Sequence, residues 1–157
     1  MAKIRIDEGW LLMAFDSGDG MESWFLDRET GEVIRLSEWD ELEEEEEIRA
    51  RIDEDEDERY LSVPSMSSHQ GFRIMEDFAR SQADPRVRGV LFDALDHRRP
   101  FRSFKDALAG LGGVREEWFK YHENRLREHA LDWLRVKDVD AELVPYIDRG
   151  GEASDTG

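Results

Sequence analysis

The chain has 157 residues, 39% of them hydrophobic and 39% charged, with no cysteine and a formal net charge of −17. That length suits one domain or two tightly joined halves, and the apolar share is enough for a real core. The missing cysteines exclude disulfides, thiol catalysis and cysteine-built zinc sites, no apolar run is long enough for a membrane-spanning helix, and the negative charge disfavours nucleic acid unless basic residues are segregated.

The start, MAKIRIDEGWLL, has no uninterrupted apolar stretch and no small-residue cleavage site. A signal peptide is not expected, and a cytoplasmic location fits. Residues 6–15 predict a short helix with Asp7 as N-cap and Trp10, Leu11, Ala14 and Phe15 at helical spacing. SGDG at 17–20 breaks it.

Two apolar runs then flank DRETGE, and Gly31 supplies the positive φ that a short bulged loop needs. This predicts a hairpin with strands near 23–27 and 32–36. Val33 and Arg35 would face one way, and Glu32, Ile34 and Leu36 the other. RYLSVP at 59–64 predicts a third strand, stopped by Pro64.

Between hairpin and third strand, residues 38–59 hold fourteen acids against three arginines, a net of −11, leaving −6 for the rest. Like charges one helical turn apart oppose a helix there. A mobile segment over 38–58 is the first reading, and an acidic helix resting on Leu42, Ile48 and Ile52 is the alternative.

From Ser68 the pattern is helical. Ser68 would cap a helix over 69–82, with Phe72, Met75, Phe78 and Ala79 inward. Asp84-Pro85 pairs an N-cap with a proline at the first helical position and opens a helix to about Leu95, burying Val87, Val90 and Leu91. Pro100 opens another, with Phe101, Phe104, Leu108 and Leu111 inward, and Gly112-Gly113 ends it. The last helix covers 114–136, with Trp118, Phe119, Leu126, Ala130, Trp133 and Leu134 inward and a bend near Tyr121–Glu123. From Arg149 the apolar residues stop, and a disordered tail is expected over 149–157. The fold class is α+β. An N-terminal helix and a small three-stranded antiparallel sheet occupy 1–64. A four-helix half over 65–148 would pack on them.

Three blocks carry a family resemblance: HQGFRIMEDFA at 69–79, LDHRRPFRSFKDAL at 95–108 and EEWFKYHENRLREHALDWL at 116–134. With the hairpin WFLDRETGEVIRL, they resemble the bacterial uncharacterised protein family 0158 from about residue 7 to 136. The resemblance implies a bacterial cytoplasmic protein with an acidic stretch before the third strand. It implies no established activity and carries no catalytic residues over. The family usually has a G-R-G-A-F-like turn where this chain has His97-Arg98-Arg99-Pro100-Phe101. That departure puts in doubt any role in which the turn's backbone approaches a ligand.

The chemistry-bearing residues cluster in the helical half. Arg98, Arg99, Arg102 and Lys105, with His97 beside them, fall within nine residues around a proline-started helix N-terminus. Arginines beside free backbone N–H groups suit an anion or an acidic partner segment. The structural alternative pairs Arg102 with Asp106, one turn away. The acidic segment would compete for such a site as a tethered polyanion.

Arg73, Glu76 and Asp77, with Trp118 and Arg125, are possible support. Glu76 and Asp77 diverge by about 100° around a helix, which suits a salt bridge to Arg102, Lys105 or Arg125 better than an acid–base pair. Trp118, Phe119, Tyr121 and Trp133 are core at this spacing rather than base-stacking platforms. No metal is expected. His122 and His129 are about 10.5 Å apart along one helix. Asp53, Asp55 and Asp57 start like an EF-hand loop, but Glu58 and Pro64 stand where glycine and glutamate are needed. No nucleophile elbow, P-loop or dinucleotide fingerprint occurs, so no cofactor is expected. The sequence therefore favours a non-enzymatic interaction or ligand-binding protein whose partner is an acidic protein or an anionic ligand. A nucleic-acid-associated regulator and a small enzyme using Glu76, Asp77 and nearby arginines are the alternatives.

Overall fold

Asp7 ends one element and starts the next. Strand β1 (Ile4–Asp7) runs straight into helix α1 (Glu8–Phe15), and the Asp7 carboxylate accepts the Trp10 N–H at 3.2 Å. The predicted N-cap is therefore in place, but a strand precedes it where the sequence suggested helix from residue 6. The computed structural model describes residues 3–17, 22–37, 43–55 and 58–145. The tail expected to be disordered lies outside them, as do residues 38–42 and 56–57 of the acidic segment.

The chain forms two compact units, one holding residues up to Ser65 and from His129 onward, the other Met66–Glu128. In the first, β2 (Glu22–Asp27), β3 (Val33–Ser37) and β4 (Tyr60–Ser62) form an antiparallel sheet of order β3-β2-β4. The register pairs Phe25 with Ile34 on one side and with Ser62 on the other. Trp24, Leu26, Ile34 and Leu36 are buried, and Arg35 is exposed beside Glu22 at 3.0 Å.

Helix α2 (Glu43–Asp53) gives the acidic segment its helical form. None of its described side chains is buried. It is held by Ser37, whose N–H donates to Glu45 Oε1 at 3.2 Å and whose carbonyl accepts from Arg49 Nη2 at 2.6 Å. Two charged side chains one turn apart thus satisfy a backbone group of edge strand β3, a common way to close an edge.

The hairpin turn is built on Asp27 and Gly31. Gly31 has φ +84 and donates its N–H to the Asp27 carbonyl at 2.7 Å. A Cβ at Gly31 would sit 2.3 Å from the Arg5 carbonyl oxygen of β1. Gly31→Ala therefore combines left-handed strain with a backbone clash. It is expected to lower stability by about 2 kcal/mol, read as a lower urea midpoint.

A second, two-stranded sheet pairs β1 with β5 (Ala141–Val144) in parallel, Ile4 opposite Ala141 and Asp7 opposite Val144. The sequence reading contains neither strand. Phe15 meets His129 and Trp133 edge-on at 5.1 and 5.5 Å between centroids, fixing α1 against the chain's returning helix. Leu12 is buried there, whereas Trp10, expected inward, is 48% exposed.

The second unit holds α3 (Ser68–Ser81), α4 (Pro85–Leu95), α5 (Pro100–Ala109) and the first part of α6 (Gly113–Val136). These are the four predicted helices, and α1 and α2 bring the described residues to six. The cap of α3 is Ser67, one residue earlier than expected, in a reciprocal box with Gln70. Asp84 and Pro85 start α4 as predicted. Helix α6 is assigned without a break through Tyr121–Glu123.

The core joins Ile74, Met75, Phe78 and Ala79 of α3, Leu91 and Leu95 of α4, Phe104 and Leu108 of α5, and Trp118 of α6. Phe72, Val87 and Leu111, also expected inward, are partly buried against this core. Val90, Phe101 and Phe119 are exposed, the last with Arg115 over its ring at 5.0 Å.

Candidate functional site

Helix α5 buries Phe104 and Leu108, and its other side faces solvent. Arg102 and Lys105 lie there, three residues apart, and Arg98 and Arg99 form the turn that feeds the helix; all four are exposed. None forms an ion pair with a described residue, so the Arg102–Asp106 pair allowed by spacing is not made. Arg99 is itself the N-cap residue and provides no side-chain cap. Pro100 has no N–H, and the N–H groups at the start of the helix lack an intrahelical acceptor until Ser103 donates to the Arg99 carbonyl at 2.9 Å.

The two units differ sharply in charge. Met66–Glu128 carries twelve arginines and lysines against ten aspartates and glutamates, a net of +2, which leaves −19 on the rest. Arg98, Arg99, Arg102 and Lys105, without ion pairs among the described residues, belong to the positive unit.

The possible supporting residues divide. Arg73 is exposed and unpaired among the described residues. Asp77 is half-buried and accepts from Arg80 Nη1 at 3.0 Å and Arg125 Nη1 at 3.1 Å. Arg125 also donates to the Tyr121 hydroxyl at 2.8 Å. Burial pulls the Arg125 guanidinium down, but the bonds to Asp77 and Tyr121 outweigh it and raise its pKa. This knot ties α3 to α6, the inter-helix bridge the sequence allowed. Asp77 is thereby taken up by two arginine donors as a bridge between helices.

Glu76 takes no part in the knot. Trp118 is 3% exposed, its ring against Phe104 at 5.0 Å and Phe78 at 5.3 Å, with His122 stacked at 4.9 Å. It is core, and no base could stack on it without unpacking the unit.

One charged pair escaped the sequence reading. Asp27 is 3% exposed and receives Arg59 Nε at 3.0 Å and Nη2 at 2.9 Å, a two-pronged bond from β4's edge to the hairpin turn. It also accepts the N–H groups of Glu29 and Thr30 at 2.9 and 3.2 Å. Burial pushes Asp27 up, but these donors outweigh it and hold the carboxyl below its ordinary value. The readable signal was an aspartate at a strand end before a glycine turn. Its partner lies 32 residues on and leaves no local trace.

The model of the Uncharacterised protein family (UPF0158) matches residues 2–148. The chain belongs to this family. A UPF0158 protein of Pseudomonas aeruginosa is 34% identical over 139 residues, covering 88% of this chain and 87% of that one. UPF0158 proteins of Chlamydia trachomatis and Chlamydia pneumoniae are each 23% identical over 126 residues, 80% of this chain. That match spans only 38% and 39% of the chlamydial chains. No solved structure matches. The family resemblance carried by the hairpin and the three helical blocks is therefore membership. Among the described residues no helix is long and apolar enough to cross a membrane.

Proposed function

We propose that this UPF0158 protein is a non-enzymatic, cytoplasmic interaction or ligand-binding protein, whose anion-accepting site is Arg98, Arg99, Arg102 and Lys105. The observation that carries the reading is charge left uncompensated: four exposed cations without ion pairs among the described residues, on a unit of net +2 in a chain of −17. An acidic protein segment fits this row better than a single phosphate, because cations on a turn and on the first turns of the following helix offer several spaced contacts.

The test is fluorescence anisotropy of a labelled glutamate-rich peptide with the wild-type chain and with Arg102→Glu/Lys105→Glu. Wild type is expected to bind, with affinity falling as salt rises, and the double variant to bind at least about tenfold more weakly. Equal affinity in both folded proteins would remove the site from α5. A labelled single-stranded oligonucleotide in the same assay separates an acidic partner from a nucleic acid. Charge segregation favours the nucleic-acid reading, and the chain's overall charge opposes it.

A further inference from the structure

A cleft of about 430 Å³ lies between α3 and α4 on the positive unit. Phe72 and Glu76 line it from α3, one turn apart. Gly89, Phe92 and Asp93 line it from α4 and Asp96 from the residue capping its end, with buried Leu95 beneath.

Three features that do not favour folding meet in this one place. Gly89 sits inside a helix, where glycine weakens the element, and nothing lies within 4 Å of the position its Cβ would take. Neither close packing nor a positive φ calls for glycine there. Asp93 and Asp96 put two like charges on neighbouring turns, with Glu76 across from them. None of the three has an ion pair among the described residues, in a unit carrying twelve arginines and lysines. The phenyl rings of Phe72 and Phe92 are only half-buried and stay open to the cleft. When local choices oppose stability together, the site is where function is to be sought.

We propose that this cleft receives an organic cation, an ammonium or guanidinium group on an aliphatic stem. The rings and Leu95 would take the stem and could offer cation–π attraction, the carboxylates would take the charged head, and the missing side chain at Gly89 keeps the entrance open. This chemistry is opposite in sign to that of the basic row and does not depend on it.

The test is calorimetric titration of the intact chain at physiological salt with two probes, spermidine and N-acetyl-arginine amide. Binding of spermidine alone would assign the cleft to free polyamines. Binding of the arginine amide would assign it to a basic side chain of a partner protein, and either result supports the proposal if the variants respond. Gly89→Leu is expected to abolish binding while its melting temperature stays equal or rises, because leucine favours the helix and meets open space. Glu76→Gln/Asp93→Asn is expected to weaken binding at least about tenfold, and Arg102→Glu/Lys105→Glu to leave it unweakened. Binding of neither probe, or binding unchanged by Gly89→Leu, would overturn the proposal. The second outcome would reduce it to diffuse attraction by an acidic chain.

Discussion

Phe104→Ala is expected to destabilise the second unit by about 4 kcal/mol, whereas Phe101→Ala, three residues earlier, should stay near about 1 kcal/mol. Phe104 is fully buried, with Trp118 at 5.0 Å and Phe78 at 6.4 Å between ring centroids. Truncation there leaves a cavity between two aromatic rings that cannot both collapse into it. Phe101 is 37% exposed and lies over Gly71, where an added Cβ would come within 3.3 Å of its ring. Urea unfolding of the two variants measures the contrast. Equal losses would mean that Phe101 is core after all. The result also bears on the basic row, because Phe104 anchors the helix that presents Arg102 and Lys105.

Asp27→Ala should cost about 3 kcal/mol at neutral pH. The substitution removes the acceptor for Arg59 and for two turn N–H groups at once. The Arg59 side chain is 36% exposed and can be resolvated, which keeps the loss at the low end for a broken buried pair. The pH dependence has a definite sign. A carboxylate held below its unfolded value near about 3.9 stabilises the fold fully above that pH. Its contribution drains away as pH falls through the lower folded value. Wild type should therefore lose stability on acidification more steeply than Asp27→Asn. Unfolding midpoints at neutral pH and near about pH 3 would show the two curves converging. Parallel curves would mean that the Asp27–Arg59 bond contributes little.

What could be read from the sequence was whatever is local. The hairpin showed itself through Gly31 and the apolar runs around it, and α4 through Asp84-Pro85. Both signals act within a few residues, and both stand in the structure. Strands β1 and β5 have four residues each, too few for a period to register, and they pair across nearly the whole chain. Phe101 and Phe119 fit an apolar stripe by spacing, but both stay exposed, Phe101 with only the edge of α3 at Gly71 against it. Spacing says which residues share a face and not how far the cover extends. The basic row was legible as composition. That its members make no ion pair among the described residues while Asp77 and Arg125 find each other depends on which helices meet, and no single segment records that. The cleft at Gly89 was invisible for the same reason.

The pairing of β1 with β5 sets an order of assembly during synthesis. The stretch Met66–Glu128 is contiguous and can fold once it leaves the ribosome. The first strand, though translated before the helical unit, must wait for Ala141–Val144 before its ladder can close. A segment made before the helices is thus completed after them. Until then Ile6, fully buried in the completed fold, is left without its strand partner Leu143 while the helical unit matures behind it.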